Sequence, residues 1–161
     1  EIMPSLVGSE MCIRDSLSLI HGGTELLVVD PGATNNAEHK FDQIRGIFPN
    51  LPVKAVVFTH GHHDHCFGAE RYINEANENG WNRPEILAHP AINQRFDRYT
   101  KTAGFNEVIN SRQFRGGASV GSWKKDYVRP TREISDPTEL NVGSVTVQIN
   151  PARGETDDAL W

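Results

Sequence analysis

Hydrophobic and polar residues alternate along Leu17-Ser18-Leu19-Ile20, and the pattern breaks at His21-Gly22-Gly23-Thr24. A continuous apolar run, Leu26-Leu27-Val28-Val29, follows and ends at Asp30-Pro31-Gly32. Two strands joined by a glycine-containing turn account for this pattern. Ala37, Phe41, Ile44 and Phe48 then recur at helical spacing and predict one apolar helix face. Asn35, with Glu38 three residues on, has the form of a capping box at the start of that helix. Pro49 and Pro52 stop it. Val53 and Ala55-Val56-Val57-Phe58 predict a buried strand. Ala69, Tyr72, Ile73 and Ala76 predict a further helix, which Asn79-Gly80 closes. Glu85-Ile86-Leu87-Ala88 reads as another strand, and residues 91–100 as a helix. This alternation indicates an α/β fold with partly parallel pairing. Residues 103–139 are polar and punctuated by Gly116-Gly117, Pro130 and Pro137. They are expected to form helix and loop, a candidate cover for a site. A late strand is expected from Val142 to Ile149, where Val145 and Val147 alternate with Thr146 and Gln148.

Composition narrows the classes. The 161 residues suit one domain or part of one. No apolar run approaches the roughly 20 residues needed to span a bilayer. The formal charge of −5 gives no basic surface of the kind a nucleic-acid binder presents. Two cysteines, Cys12 and Cys66, are too few for a disulfide framework.

The chemistry concentrates in Thr59-His60-Gly61-His62-His63-Asp64-His65, where the strand ending at Phe58 stops. Neutral imidazoles and carboxylates are zinc-type ligands. In extended backbone His60 and His62 point to the same side and can reach one ion. Asp64 and His65 fall in the turn that opens the next helix and can hold a second. The carboxyl end of a strand is the usual place for an α/β active site. His63 is out of phase with His60 and His62, so it is read as lying outside the ligand set or behind it. His21, His39 and His89 are read as ordinary structural or surface residues.

Thr59–His65 resembles the T-H-x-H-x-D-H signature of the metallo-β-lactamase superfamily. Val29-Asp30-Pro31-Gly32 is similar to that family's earlier motif, whose aspartate is mainly structural near the site. The resemblance runs from about Leu17 to Trp161. It implies the N-terminal part of an αββα sandwich with two metal ions, zinc expected. His60 and His62 would bind the first ion, and Asp64 and His65 the second, with Asp64 also orienting the nucleophile. The family's third motif supplies a histidine in a G-H-T setting. Here Gly154-Glu155-Thr156 stands in its place, so the resemblance makes Glu155 a ligand and points toward the alkyl sulfatase branch. Read alone, Glu155-Thr156-Asp157-Asp158 is a typical exposed sequence, and neither Asp157 nor Asp158 is read as replacing the family's later bridging aspartate.

The implied function is a metal-dependent hydrolase of a small-molecule ester, with alkyl sulfates as the first substrate class. Thioester, lactone and phosphodiester hydrolases of the same fold are the alternatives, as is an inactive metal-binding module for the chain as it stands. The family's last ligands would lie past Trp161, so truncation at the C-terminus is expected, with an exposed apolar sheet face. Residues 1–16 resemble translated sequencing-adapter read-through and hold both methionines, Met3 and Met11. They are expected to be an artefactual or disordered segment, a genuine N-terminal arm being the alternative, and residues 17–161 a partial domain. Neither compartment nor oligomeric state follows from the sequence.

Overall fold

Strand β1 (Ser18–His21) turns back on β2 (Leu26–Val29), and the two pair antiparallel. The turn needs glycine: Gly23 has φ +92. A side chain on Gly22 would sit 1.8 Å from the Val142 carbonyl oxygen. A computed structural model describes residues 17–33, 36–113, 123 and 125–161.

From β2 the chain crosses over through α1 (Ala37–Ile47) to β3 (Val53–Val57), which pairs parallel to β2. The short α2 (His63–Cys66) and α3 (Ala69–Asn79) lead to β4 (Glu85–Ala88), parallel to β3. Helices α4 (Ile92–Lys101) and α5 (Ala103–Gln113) precede β5 (Arg132–Glu133), parallel to β4. The sheet order is β1-β2-β3-β4-β5. The mixed α/β architecture expected from the alternating pattern is therefore present.

One face of this sheet packs on helices. Leu26, Val28, Val56 and Ile86 meet Phe41, Ile44, Tyr72, Ile73 and Phe96 there. Each fully buried aliphatic side chain of this kind contributes about 1.5–3 kcal/mol. Between Leu26 and Leu27 the register slips, so Lys54 has no partner on β2. Such a bulge changes which side the following residues face. It sends Val53 to the helix side and Ala55 to the other.

The second face corrects the expectation of an exposed apolar sheet. Leu27, Ala55, Val57 and Leu87 are buried against Ile134, Leu140, Val142, Ile149 and Leu160. The cover is a hairpin, β6 (Thr138–Val142) and β7 (Val145–Ile149), turning at Gly143 with φ +53. Val142 thus ends the first strand of the hairpin rather than opening a single late strand. The 103–139 stretch, expected as helix and loop, also contains β5 and the first two residues of β6.

The sequence reading places a capping box on Asn35 and Glu38. Asn35 lies outside the described residues, and Asn36 stands at the N-cap without a side-chain cap bond. Glu38 turns away, accepting from Arg71 Nε at 3.3 Å. The α3 stop is as expected, with Gly80 in the left-handed region at φ +66.

Candidate metal centre

The two central strands end side by side. Asp30 closes β2, and Phe58-Thr59-His60 runs on from β3. Asp30 is the one non-glycine residue with positive φ among those described, at +55. That backbone costs about 1–3 kcal/mol, and the hydrogen bonds of its carboxylate offset the cost. Oδ1 accepts the Thr59 amide at 2.8 Å, and Oδ2 accepts the Thr59 hydroxyl at 2.6 Å. Oδ2 also lies 2.9 Å from His65 Nδ1. Asp30 therefore splices the two strand ends and reaches the cluster.

These contacts fix ring tautomers. Thr59 donates its hydroxyl proton to Asp30, so its oxygen receives the Nδ1–H of His60 at 3.1 Å. His60 Nε2 then carries the lone pair of that ring and faces His62 Nδ1 at 3.0 Å. Likewise His65 gives its Nδ1 proton to Asp30 and keeps Nε2 for the site, 3.7 Å from Asp64 Oδ2. Carboxylates that orient ligand imidazoles in this way are a regular part of metal sites.

Glu155 completes the first group. Its carboxylate oxygens lie 3.5 Å from His62 Nδ1 and 3.9 Å from His60 Nε2. One donor atom from each of His60, His62 and Glu155 falls within 4.8 Å of the others. Zinc–nitrogen bonds of ~2.0–2.1 Å in a tetrahedral shell place two ligand nitrogens about 3.3 Å apart. The spacing and the donor chemistry therefore fit a zinc-type divalent ion. Asp64 and His65 sit outside this trio, and the His65 ring is 4.2 Å from that of His60.

Electrostatics prepare the rings differently. Burial, and the neighbouring His65 and His62, hold His60 below the ordinary histidine value, so its imidazole stays neutral. Burial disfavours charge on His65 too, but the hydrogen bond and charge of Asp30, with Asp64, raise it.

The remaining histidines follow the sequence reading. His63 points away from the donors and packs against Phe67 and Trp123. His21 stacks on Phe48. His39 is exposed, and His89 Nδ1 accepts the Ala91 amide. Cys66 is buried and donates to the His60 carbonyl at 3.2 Å, and burial pushes its thiol well up.

Sequence reasoning missed Asp158. It is fully buried, not part of an exposed acidic run. Its Oδ2 accepts the Gly61 amide at 2.9 Å, and Arg95 Nε lies 3.1 Å from both its oxygens. Burial opposes its charge, but the Thr156 hydroxyl beside it and the Arg95 guanidinium hold its carboxyl below the usual aspartate range. Arg95 also pairs with Asp157. No spacing rule links Arg95 to Asp158 across 63 residues. The tight glycine between two histidines was the available hint.

Comparison with known proteins identifies the family and the fold. The model of the metallo-beta-lactamase superfamily matches residues 16–152. No curated protein matches the chain. Among solved structures, the inverting sec-alkylsulfatase Pisa1 from Pseudomonas sp. is 19% identical with a TM-score of 0.66, covering 99% of this chain and 28% of that one. A metallo-beta-lactamase with a HARLDQ motif from Cronobacter sakazakii is 16% identical with a TM-score of 0.61, covering 90% and 46%. A B3 metallo-beta-lactamase described as having an active-site glutamic acid is 20% identical with a TM-score of 0.56, covering 90% and 48%. The chain thus spans less than half the length of each of these proteins. By its fold and by the histidine cluster at the end of β3, the chain belongs to the metallo-beta-lactamase superfamily.

Proposed function

We propose that the chain carries the principal metal centre of a zinc-dependent hydrolase. The observation that carries this is the convergence of His60 Nε2, His62 Nδ1 and a Glu155 oxygen within 4.8 Å. His60, His62 and Glu155 would hold the first ion, and Asp64 with His65 the second. Zinc so held supplies Lewis acidity and brings the ionisation of a water to about pH 7. Asp64, 3.7 Å from His65 Nε2, would also orient the attacking water. Asp30 keeps Thr59, His60 and His65 aligned for that task. A carboxylate in the first shell adds negative charge and makes the centre less electrophilic than an all-histidine one.

The proposed substrate is a sulfate ester with an apolar tail. Glu155 in the third motif and the structural likeness to a sec-alkylsulfatase both support it. A lactam, lactone, thioester or phosphodiester is the second reading. The likeness to a B3 metallo-beta-lactamase with an active-site glutamic acid favours the lactam within that group. For residues 17–161 alone, metal binding without turnover is expected.

The test begins with zinc content of the purified 17–161 chain, beside His60→Ala/His62→Ala. Near-stoichiometric zinc that is lost in the double variant supports the centre. A folded chain that takes up no zinc, cobalt or manganese sinks it. A parent enzyme containing this chain is then assayed on alkyl sulfates against the other esters. Cleavage of any of the others in preference to sulfates rejects the substrate assignment alone.

A further inference from the structure

We infer that Asp158 is a positioning residue that sets the metal centre by holding the Glu155 loop against the peptide between the two ligand histidines. This rests on the reading of His60, His62 and Glu155 as one centre. The 155–158 segment is the tip of a turn whose base is tied by backbone bonds between Asn150 and Trp161 and between Ala152 and Ala159. Glu155 itself is 73% exposed, so burial does not lock it there. Asp158 is the fixed point, with its side chain wholly buried. It accepts the Gly61 amide at 2.9 Å. It is clamped from behind by Arg95, whose side chain is 10% exposed. Two residues on, the Leu160 amide donates to the Thr59 carbonyl at 2.7 Å. Gly61 is therefore gripped at its own amide and, through Thr59, one peptide before His60.

Gly61 leaves no slack. A Cβ there would lie 2.6 Å from Asp158 Oδ2, 2.7 Å from Arg95 Cδ and 2.8 Å from Ile92 Cγ1. The carboxylate and the arginine stem thus pack directly on the Gly61 backbone. A displacement of Asp158 moves Glu155, three residues away, relative to both imidazoles. Asp158 touches no donor atom of the centre, so its effect passes through the loop.

The experiment uses the full 161-residue chain as wild type, Asp158→Ala, Asp158→Asn, Glu155→Ala and Asp158→Ala/Glu155→Ala. Zn²⁺ affinity is read by competition with a chromophoric chelator. The nuclear Overhauser effect between His62 ring protons and the Glu155 side chain is read in metal-free protein. Asp158→Ala is expected to lower Zn²⁺ affinity about 10- to 100-fold, as loss of an outer-shell partner does. In that background Glu155→Ala should change affinity by less than about twofold, because contacts acting through one arrangement are not additive. The His62–Glu155 signal should vanish in Asp158→Ala while signals among Val28, Val56 and Ile86 persist. Asp158→Asn keeps an oxygen for the Gly61 amide and should retain the signal.

Survival of the His62–Glu155 signal in Asp158→Ala overturns the proposal, as do independent, multiplicative effects of the two substitutions. If wild type binds no Zn²⁺ but the signal depends on Asp158 as stated, the positioning role stands and the metal reading fails. Should Asp158→Ala not fold, Gly61→Ala takes its place. Its methyl displaces the carboxylate while the charge pair remains, and survival of the signal there overturns the proposal equally.

Discussion

The Asp30 carboxylate receives the Nδ1 proton of His65 at 2.9 Å, which turns the Nε2 of that ring toward Asp64. The same oxygen takes the Thr59 hydroxyl, and through it sets the tautomer of His60. One residue outside the proposed ligands thus orients members of both proposed donor sets. Asp30→Ala is expected to weaken zinc binding about 10- to 100-fold. Competition titration against a chelator of known affinity measures it. Unchanged affinity in a folded variant would remove Asp30 from the centre.

In the proposed centre Glu155 contributes a donor from an exposed position, so its loss should spare the fold. Glu155→Ala is expected to melt as wild type does while binding zinc more weakly. Glu155→His replaces oxygen by nitrogen in a shell that accepts either, and should recover affinity to within about tenfold of wild type. Isothermal titration of the three proteins decides it. Equal affinity for all three would mean that Glu155 is not a ligand.

Arg45 and Glu75 join α1 to α3 in a nearly dry setting, with side chains 12% and 8% exposed and an Nε–Oε1 contact of 2.5 Å. Arg45 Nη1 also donates to the Phe48 and Leu51 carbonyls, which closes the end of α1. Removing one member of a buried pair strands the other, at a cost of about 3–5 kcal/mol. For a chain of this size Glu75→Ala should lower Tm by roughly 6–20 °C. Thermal denaturation followed by circular dichroism tests this, and a shift under about 3 °C would contradict it.

Asp158 also predicts a pH dependence. Its folded pKa lies below the ordinary value, so the unfolded chain binds this proton first as pH falls. The stabilisation is whole above about pH 4, the ordinary aspartate range, and is lost as pH drops through the depressed value. The stability gap between wild type and Asp158→Asn should therefore be constant from neutral pH down to about 4 and narrow below it. Urea unfolding at several pH values measures the gap. A gap that widens in acid would reverse the assignment.

The parts of the fold that were legible in the sequence are those governed by local periodicity. Leu26–Val29, Val53–Val57 and Ile86–Ala88 announce buried strands because each is a short apolar run bounded by turn residues. His60 and His62 were legible because two residues of extended chain suffice to put them together. The hairpin over 138–149 was half seen, since Leu140 and Val142 sit among polar neighbours and Gly143 gave the only turn signal. Arg95–Asp158 and Arg45–Glu75 were not legible at all. Each joins residues 30 or more apart, and charged residues are read as surface until a partner is known. Asp158 shows the limit most clearly, because its neighbour Asp157 is exposed and the two are indistinguishable by type.

The bond from Gly61 to Asp158 spans 97 residues, and that span imposes an order of events. On a ribosome adding ~5–20 residues per second, about 5–20 s pass between synthesis of the glycine and synthesis of its acceptor. The sheet and its helices can form in that interval, but the loop carrying His60 and His62 has nothing to close against. In the proposed centre, loading with metal is thus a late event in the life of the nascent chain. A histidine cluster made early must wait, open to any ion the cell presents, until the acidic loop arrives.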